Sequence, residues 1–205
     1  MPEDHMDKLY TSSNFFVSFV HTNRLKKIIH ALPKQNNLHV LDAGCGEGHL
    51  LSQMYEHAPR HNYYGVDITP IALKKAKQRC KTANIQKMNL TNLSFKTATF
   101  DVVICTEVLE HMLEYKKAIA ELKRVLKPGG VLIITIPNDL FLSFGRLLLG
   151  KRPIKVPDHF TKFTPKKIRR LVRLPQKSHR NLPISLPFYM SYASMSVFIK
   201  KEATV

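Results

Sequence analysis

Two periods of apolar spacing run along this chain. From residue 12 to 32 the spacing is helical. Phe15, Phe16, Phe19, Leu25, Ile28, Ile29 and Leu32 make a broad apolar face, Ser12, Ser13 or Asn14 can cap it, and Pro33 closes it. From residue 38 short apolar runs alternate with amphipathic ones. LHVLDAG, NYYGVDI, IQKMNL, FDVVICT and VLIITIP read as five strands. GHLLSQMYEHA and PIALKKAKQRCKTA read as helices between them, the second with Pro70 in its first turn. A further helix is expected from EVLEHM through EYKKAIAELKRVL, stopped by Lys127, Pro128, Gly129 and Gly130. Strand–helix alternation at this spacing predicts an α/β fold, a three-layer αβα sandwich with a mainly parallel sheet of about seven strands. Two of those strands must come from residues 181–199, where SVFIKK is the clearer signal.

After Asn138 the pattern changes. Residues 139–150, DLFLSFGRLLLG, are amphipathic, and 151–165 are loop-like and rich in Pro and Lys. TPKKIRRLVRL then predicts a helix with Thr164 as N-cap and Pro165 in the first position. The expected organisation is an N-terminal helical segment, 1–34, and one domain, 35–205.

Composition narrows the class. With 205 residues and 44% apolar content, the chain can bury a core and is not wholesale disordered. The N-terminal MPEDHMDKLY lacks a secretory h-region, and runs such as VLIITI are too short to span a bilayer. Cys45, Cys80 and Cys105 have no CxxC spacing, which argues against a disulfide framework or zinc site and for a cytoplasmic setting. The net charge of +17 is uneven. Residues 1–138 hold 18 Lys and Arg against 12 Asp and Glu, a net +6; residues 139–205 hold 14 against 3, a net +11. The basic third suits RNA or an anionic membrane surface, or is simply a solvated face.

The informative chemistry lies in VLDAGCGEG. A buried strand delivers Asp42, and Gly44, Gly46 and Gly48 turn the chain into a helix, with Cys45 inside the turn. Asp67, 25 residues after Asp42, ends the next strand and suits a ribose diol. The spacing is GxGxG preceded by an acid, where a dinucleotide site wants GxGxxG. That acid would repel a pyrophosphate but suits a cationic amino-acid end.

VLDAGCGEG, GVDI, ATFDVVICTEVLEHM and LKRVLKPGGVLIITIPN, in this order, resemble the class I S-adenosylmethionine (SAM)-dependent methyltransferases of Rossmann-like fold, especially the branch with ubiquinone and menaquinone biosynthesis enzymes. The resemblance implies SAM as cofactor. It places Asp42, Gly44, Cys45 and Gly46 at the methionine part, Asp67 at the ribose, Ile68, Asn89 and Leu90 around adenine, and Thr106 near the methionine end. Asn89 stands where the family commonly has an acid. The resemblance also implies an acceptor lid over 139–163, with Phe141, Leu142, Phe144, Leu147, Leu148 and Leu149 as apolar wall and Lys151, Arg152, Lys155 and Lys162 at its rim.

Methyl transfer is an in-line displacement, so the protein must align, exclude water and sometimes take a proton. Glu107, Glu110 and His111 fall at i, i+3 and i+4, so they share one face of the expected helix at a strand's carboxyl end. With His159 they make a set able to ligate Mg²⁺ or Mn²⁺. The E-x-x-E-H run with a later His resembles the metal site of small-RNA 2′-O-methyltransferases. Without a metal, His111 or His159 is the expected base, with Glu107 beside them. The alternative is that these residues cap the helix and pack on the cofactor. The leading expectation is methylation of a small or lipophilic acceptor at oxygen, nitrogen or carbon. A metal-dependent RNA 2′-O-methyltransferase and a non-catalytic SAM-binding partner subunit are the alternatives.

Overall fold

A computed structural model describes residues 15–148, 159–183, 187–188 and 191–202. Its elements, in chain order, are α1 (Phe15–His30), β1 (His39–Ala43), α2 (His49–His57), β2 (Asn62–Asp67), α3 (Pro70–Arg79), β3 (Asn84–Lys87), β4 (Phe100–Thr106), a 3₁₀ turn (Leu109–His111) and α4 (Tyr115–Val125). Then follow β5 (Leu126–Pro137), α5 (Asp139–Leu148), α6 (Pro165–Val172), β6 (Gln176–Leu182) and β7 (Ala193–Ile199).

Seven strands form one sheet in the order β3-β2-β1-β4-β5-β7-β6. The first five are parallel; β7 runs antiparallel to β5 and β6 to β7. The α/β sandwich expected from the alternation is therefore present. The first closing strand starts earlier than residues 181–199, at Gln176, because its basic, exposed edge carries no apolar alternation. The helix beginning at Pro70 stops at Arg79, short of KTA.

The two-residue period of the strands sorts side chains between two cores. Val40, Val102, Ile104, Val131 and Ile133 pack on one face with Leu25 and Ile28 of α1, Leu51 and Met54 of α2, and Leu73 of α3. Leu41, Val103, Cys105, Leu132 and Ile134 pack on the other with Ile119 and Leu122 of α4 and Ile168 and Val172 of α6. Thr164 caps α6 as expected: its hydroxyl accepts from the Lys167 amide at 3.2 Å, with Pro165 at the first position. The caps expected for α1 lie outside the described residues.

The expected single helix over residues 107–126 is corrected. Glu107 has φ +51, in the left-handed region, so helix cannot propagate from it. A 3₁₀ turn intervenes and α4 begins at Tyr115. β2 and β4 leave β1 in opposite directions, so the carboxyl ends of β1 and β4 form the switch point where open α/β sheets bind ligands. No helix among the described residues is long and apolar enough to cross a membrane.

Candidate functional site

The glycine turn opens at this switch point. The amides of Gly44 and Cys45 both donate to the Val66 carbonyl, at 2.8 and 2.9 Å, pinning the turn to the end of β2. Gly44, Gly46 and Gly48 have φ of +85, +50 and +81. A side chain strains each position, but the space around them differs. A Cβ on Gly44 would sit 2.4 Å from Cγ2 of Val108, and one on Gly48 3.0 Å from Cα and Cβ of Ala76. A Cβ on Gly46 would meet nothing within 4 Å among the described residues. Gly44 thus has no room for a side chain against Val108, while Gly46 faces open space among the described residues.

Asp67 also holds the turn. One carboxylate oxygen accepts from the Gly46 amide at 2.9 Å and the other from the Thr69 amide at 2.8 Å. Each retains acceptor capacity for a diol. Next to it Ile68 is 59% exposed, an apolar surface at a site of polar contacts. Asp42 is buried; burial, and then the charge of Asp67, push its carboxyl up to about 7. Burial raises the Cys45 thiol, which makes it packing and not a nucleophile. Asn89 uses its side-chain oxygen locally, accepting from the Thr91 amide and hydroxyl at 3.0 Å each. Leu90 is buried beside it. The Thr106 hydroxyl oxygen is buried with no hydrogen-bond partner among the described residues.

Beyond Thr106 the chain builds a second cluster, with a different membership from the expected one. Glu107, Glu110 and His111 do not line one helical face. Glu107 forms an ion pair with Arg24 of α1, and its charge still acts on Glu110. Glu110 is 1% exposed, and neither of its carboxylate oxygens has a hydrogen-bond partner among the described residues. Its carboxyl lies well above the usual range, first through burial and then through the charge of Glu107. The Glu110 carbonyl accepts from the amides of Phe160 and Thr161 at 2.9 and 3.2 Å, which docks the chain carrying His159. The rings of His111 and His159 meet edge-on, with centroids 4.8 Å apart. Ligand atoms of Glu110, His111 and His159 lie within 4.8 Å of one another. Glu107 is not part of that group.

Asp139 and Arg24 join the site unannounced. Asp139, the first residue of α5, is in contact through Oδ1 with Nδ1 of His159. That contact orients the His159 ring through Nδ1. The signal for Asp139 was its place just past β5, whose carboxyl end adjoins that of β4. Arg24 is 1% exposed. It falls four residues after Val20 and four before Ile28, both buried, so it is a charge on an apolar helix face. Of the expected lid, Phe141 and Leu142 are half-buried, while Phe144 and Leu147 are exposed. Leu149, Lys151, Arg152 and Lys155 lie outside the described residues, as does the side chain of Leu148.

A fold of this topology with a glycine turn at its switch point has relatives. The family model for the methyltransferase domain matches residues 41–134. A probable SAM-dependent methyltransferase from Mycolicibacterium smegmatis is 35% identical over 107 residues, covering 52% of this chain and 41% of its own. An uncharacterized protein from Methanocaldococcus jannaschii is 34% identical over 163 residues, covering 77% and 68%. Among solved structures, magnesium protoporphyrin IX methyltransferase from Synechocystis with bound SAH superposes with a TM-score of 0.74 at 20% identity, over 97% of this chain and 94% of that one. The chain belongs to the SAM-dependent methyltransferase family. It spans only 41% of the M. smegmatis relative.

Proposed function

We propose that the chain transfers a methyl group from SAM to a hydroxyl of a small, lipophilic acceptor. The observation that carries this reading is the facing of two halves across the switch point. One half is a glycine turn with open space at Gly46; the other is a buried Glu110 with both carboxylate oxygens unpartnered beside two imidazoles. SAM would supply an electrophilic methyl on a sulfonium. Asp67 would accept from the ribose diol, Ile68 pack on adenine, and Asp42 and Thr106 receive the amino-acid end. Asn89, with its oxygen already engaged, would offer its amide N–H groups near the base, and Leu90 its backbone. Arg24 neutralises Glu107 and would keep the methyl end from becoming a net repulsive field for an ionising hydroxyl. His159, oriented by Asp139, would accept the hydroxyl proton at Nε2, with His111 packed edge-on to hold its ring.

Glu110, His111 and His159 also fit a divalent cation such as Mg²⁺ or Mn²⁺, since unpartnered buried oxygens and imidazoles within reach of one another are what such an ion needs. A cation there would lower the pKa of the acceptor hydroxyl. This second reading includes the RNA 2′-O-methyltransferase alternative, although Glu107 would have no place among the ligands. The three cysteines are free and buried, in keeping with a cytoplasmic setting. The mass-spectrometric test incubates the protein with SAM and a panel of phenols, lipid-like alcohols, amines and RNA ends. Methylated phenol or alcohol is expected; product only on RNA or amine, or none at all, would reverse the reading. Mn²⁺ binding followed by electron paramagnetic resonance, lost in His159→Ala, would establish the cation. Full turnover in excess chelator would leave His159 as base.

A further inference from the structure

Nine large apolar side chains stand exposed among the described residues, and five gather at the acceptor end. Leu113 is 77% exposed and lies two residues past His111; Leu140 is 68% exposed and follows Asp139; Phe160 is 64% exposed and follows His159. His111 touches His159, and His159 touches Asp139, so these three apolar residues surround one small cluster. A link of two residues reaches at most about 7 Å. From Leu140 the stripe continues along α5 through Phe144 and Leu147, at i+4 and i+7, on one exposed face about 10 Å long. Water does not favour such a row, and single scattered apolar residues would not make one.

On the chain that follows Phe160 the charge has one sign, while Glu114 beside Leu113 is paired with Lys117 and Asp139 beside Leu140 is buried. From His159 to Lys201 the sequence holds ten Lys and Arg and no Asp or Glu. Lys162 is exposed two residues past Phe160, and Lys166, Arg169, Arg170 and Arg173 are exposed on and just after α6. We infer that the apolar rim of the acceptor site, with its basic collar, docks on an anionic bilayer surface. Apolar side chains would enter the acyl boundary while Lys and Arg meet the head groups. A second copy of this chain fits poorly, because the basic collar would face another basic collar. Single-stranded RNA would use the charge but not the aliphatic Leu113, Leu140 and Leu147, since bases stack on aromatic faces. The docking builds on the lipophilic-acceptor reading, because it would deliver a membrane-dissolved substrate to the cluster. Its binding is measurable without any turnover, so the two stand or fall separately.

The test is vesicle flotation of the full chain, without SAM or acceptor. It compares phosphatidylcholine vesicles with vesicles containing about one-third phosphatidylglycerol, at low and physiological salt. Selective binding to the anionic vesicles, weakened by salt, is expected. Phe144→Ser with Leu147→Ser, and separately Lys166→Glu with Arg169→Glu and Arg170→Glu, should each lower affinity about tenfold or more. SAM calorimetry on both variants should match the parent chain and so report an intact fold. Equal binding by parent and variants would overturn the inference. So would binding to neutral vesicles alone, RNA retention without vesicle binding, or a concentration-dependent dimer abolished by Phe144→Ser.

Discussion

The proposed cofactor half and the proposed acceptor half of the site are built on opposite principles. The cofactor half comes mainly from nearly contiguous chain, Asp42 to Thr69, and the amides of its turn are already partnered. Val66 receives two amides of the turn and Asp67 fixes a third. The acceptor half comes from four distant segments, at Arg24, Glu107–His111, Asp139 and His159. It holds buried carboxylate oxygens of Glu107, Glu110 and Asp139 that lack partners among the described residues. Buried acceptors without donors are costly in a folded chain. One half is set before its ligand arrives; the other stores unsatisfied polarity that a proton, a cation or a substrate hydroxyl would relieve.

The sharpest way to break this contrast is a pair of glycine substitutions. Gly44→Val should cost about 2–4 kcal/mol of folding stability, because the new side chain meets Val108 and φ is positive. Gly46→Ala should cost only about 1 kcal/mol through φ, yet lower SAM affinity at least tenfold because the methyl enters open space. Chemical denaturation and calorimetry separate the two. Equal stability losses, or unchanged SAM affinity in Gly46→Ala, would show that the open space is not the cofactor's.

Next in size is Glu110→Gln. Turnover should fall about 100-fold, roughly 2.7 kcal/mol in transition-state terms. Stability at pH 8 should rise or hold, since a carboxyl whose pKa burial has raised is strained when ionised. A large stability loss with turnover retained would make Glu110 a structural residue.

A smaller effect follows from Asp42. Its folded pKa, about 7, lies above its ordinary 3.8, so the folded protein binds the extra proton. Its contribution to stability is therefore present at low pH and is lost as pH rises through the window from about 4 to 7. A cationic ligand group favours the ionised form. SAM affinity should therefore climb from pH 6 to 8, by up to tenfold per unit below pH 7, and flatten in Asp42→Asn. A profile that does not change in the variant would remove Asp42 from the cofactor's amino-acid end. Smallest is Thr164→Ala, which should cost about 1 kcal/mol of stability by removing the α6 cap. Since the cap touches neither half, SAM affinity should not change; a changed affinity would mean that α6 is coupled to the site.

Sequence by itself determined the mainly parallel sheet and the glycine turn. Strand period, positive-φ glycines and a helix cap are local properties, readable within about ten residues. It also named Glu110, His111 and His159, but grouped the first two with Glu107 by a helical spacing that the chain does not adopt. Only the tertiary structure decided that Glu107 pairs with Arg24 of α1 and is not one of the residues whose ligand atoms converge. Only it brought Asp139 to His159 across a separation of 20 residues. Helical period predicts neighbours on one regular element; the acceptor end has none, and its contacts are fixed by the docking of separate segments on a completed sheet.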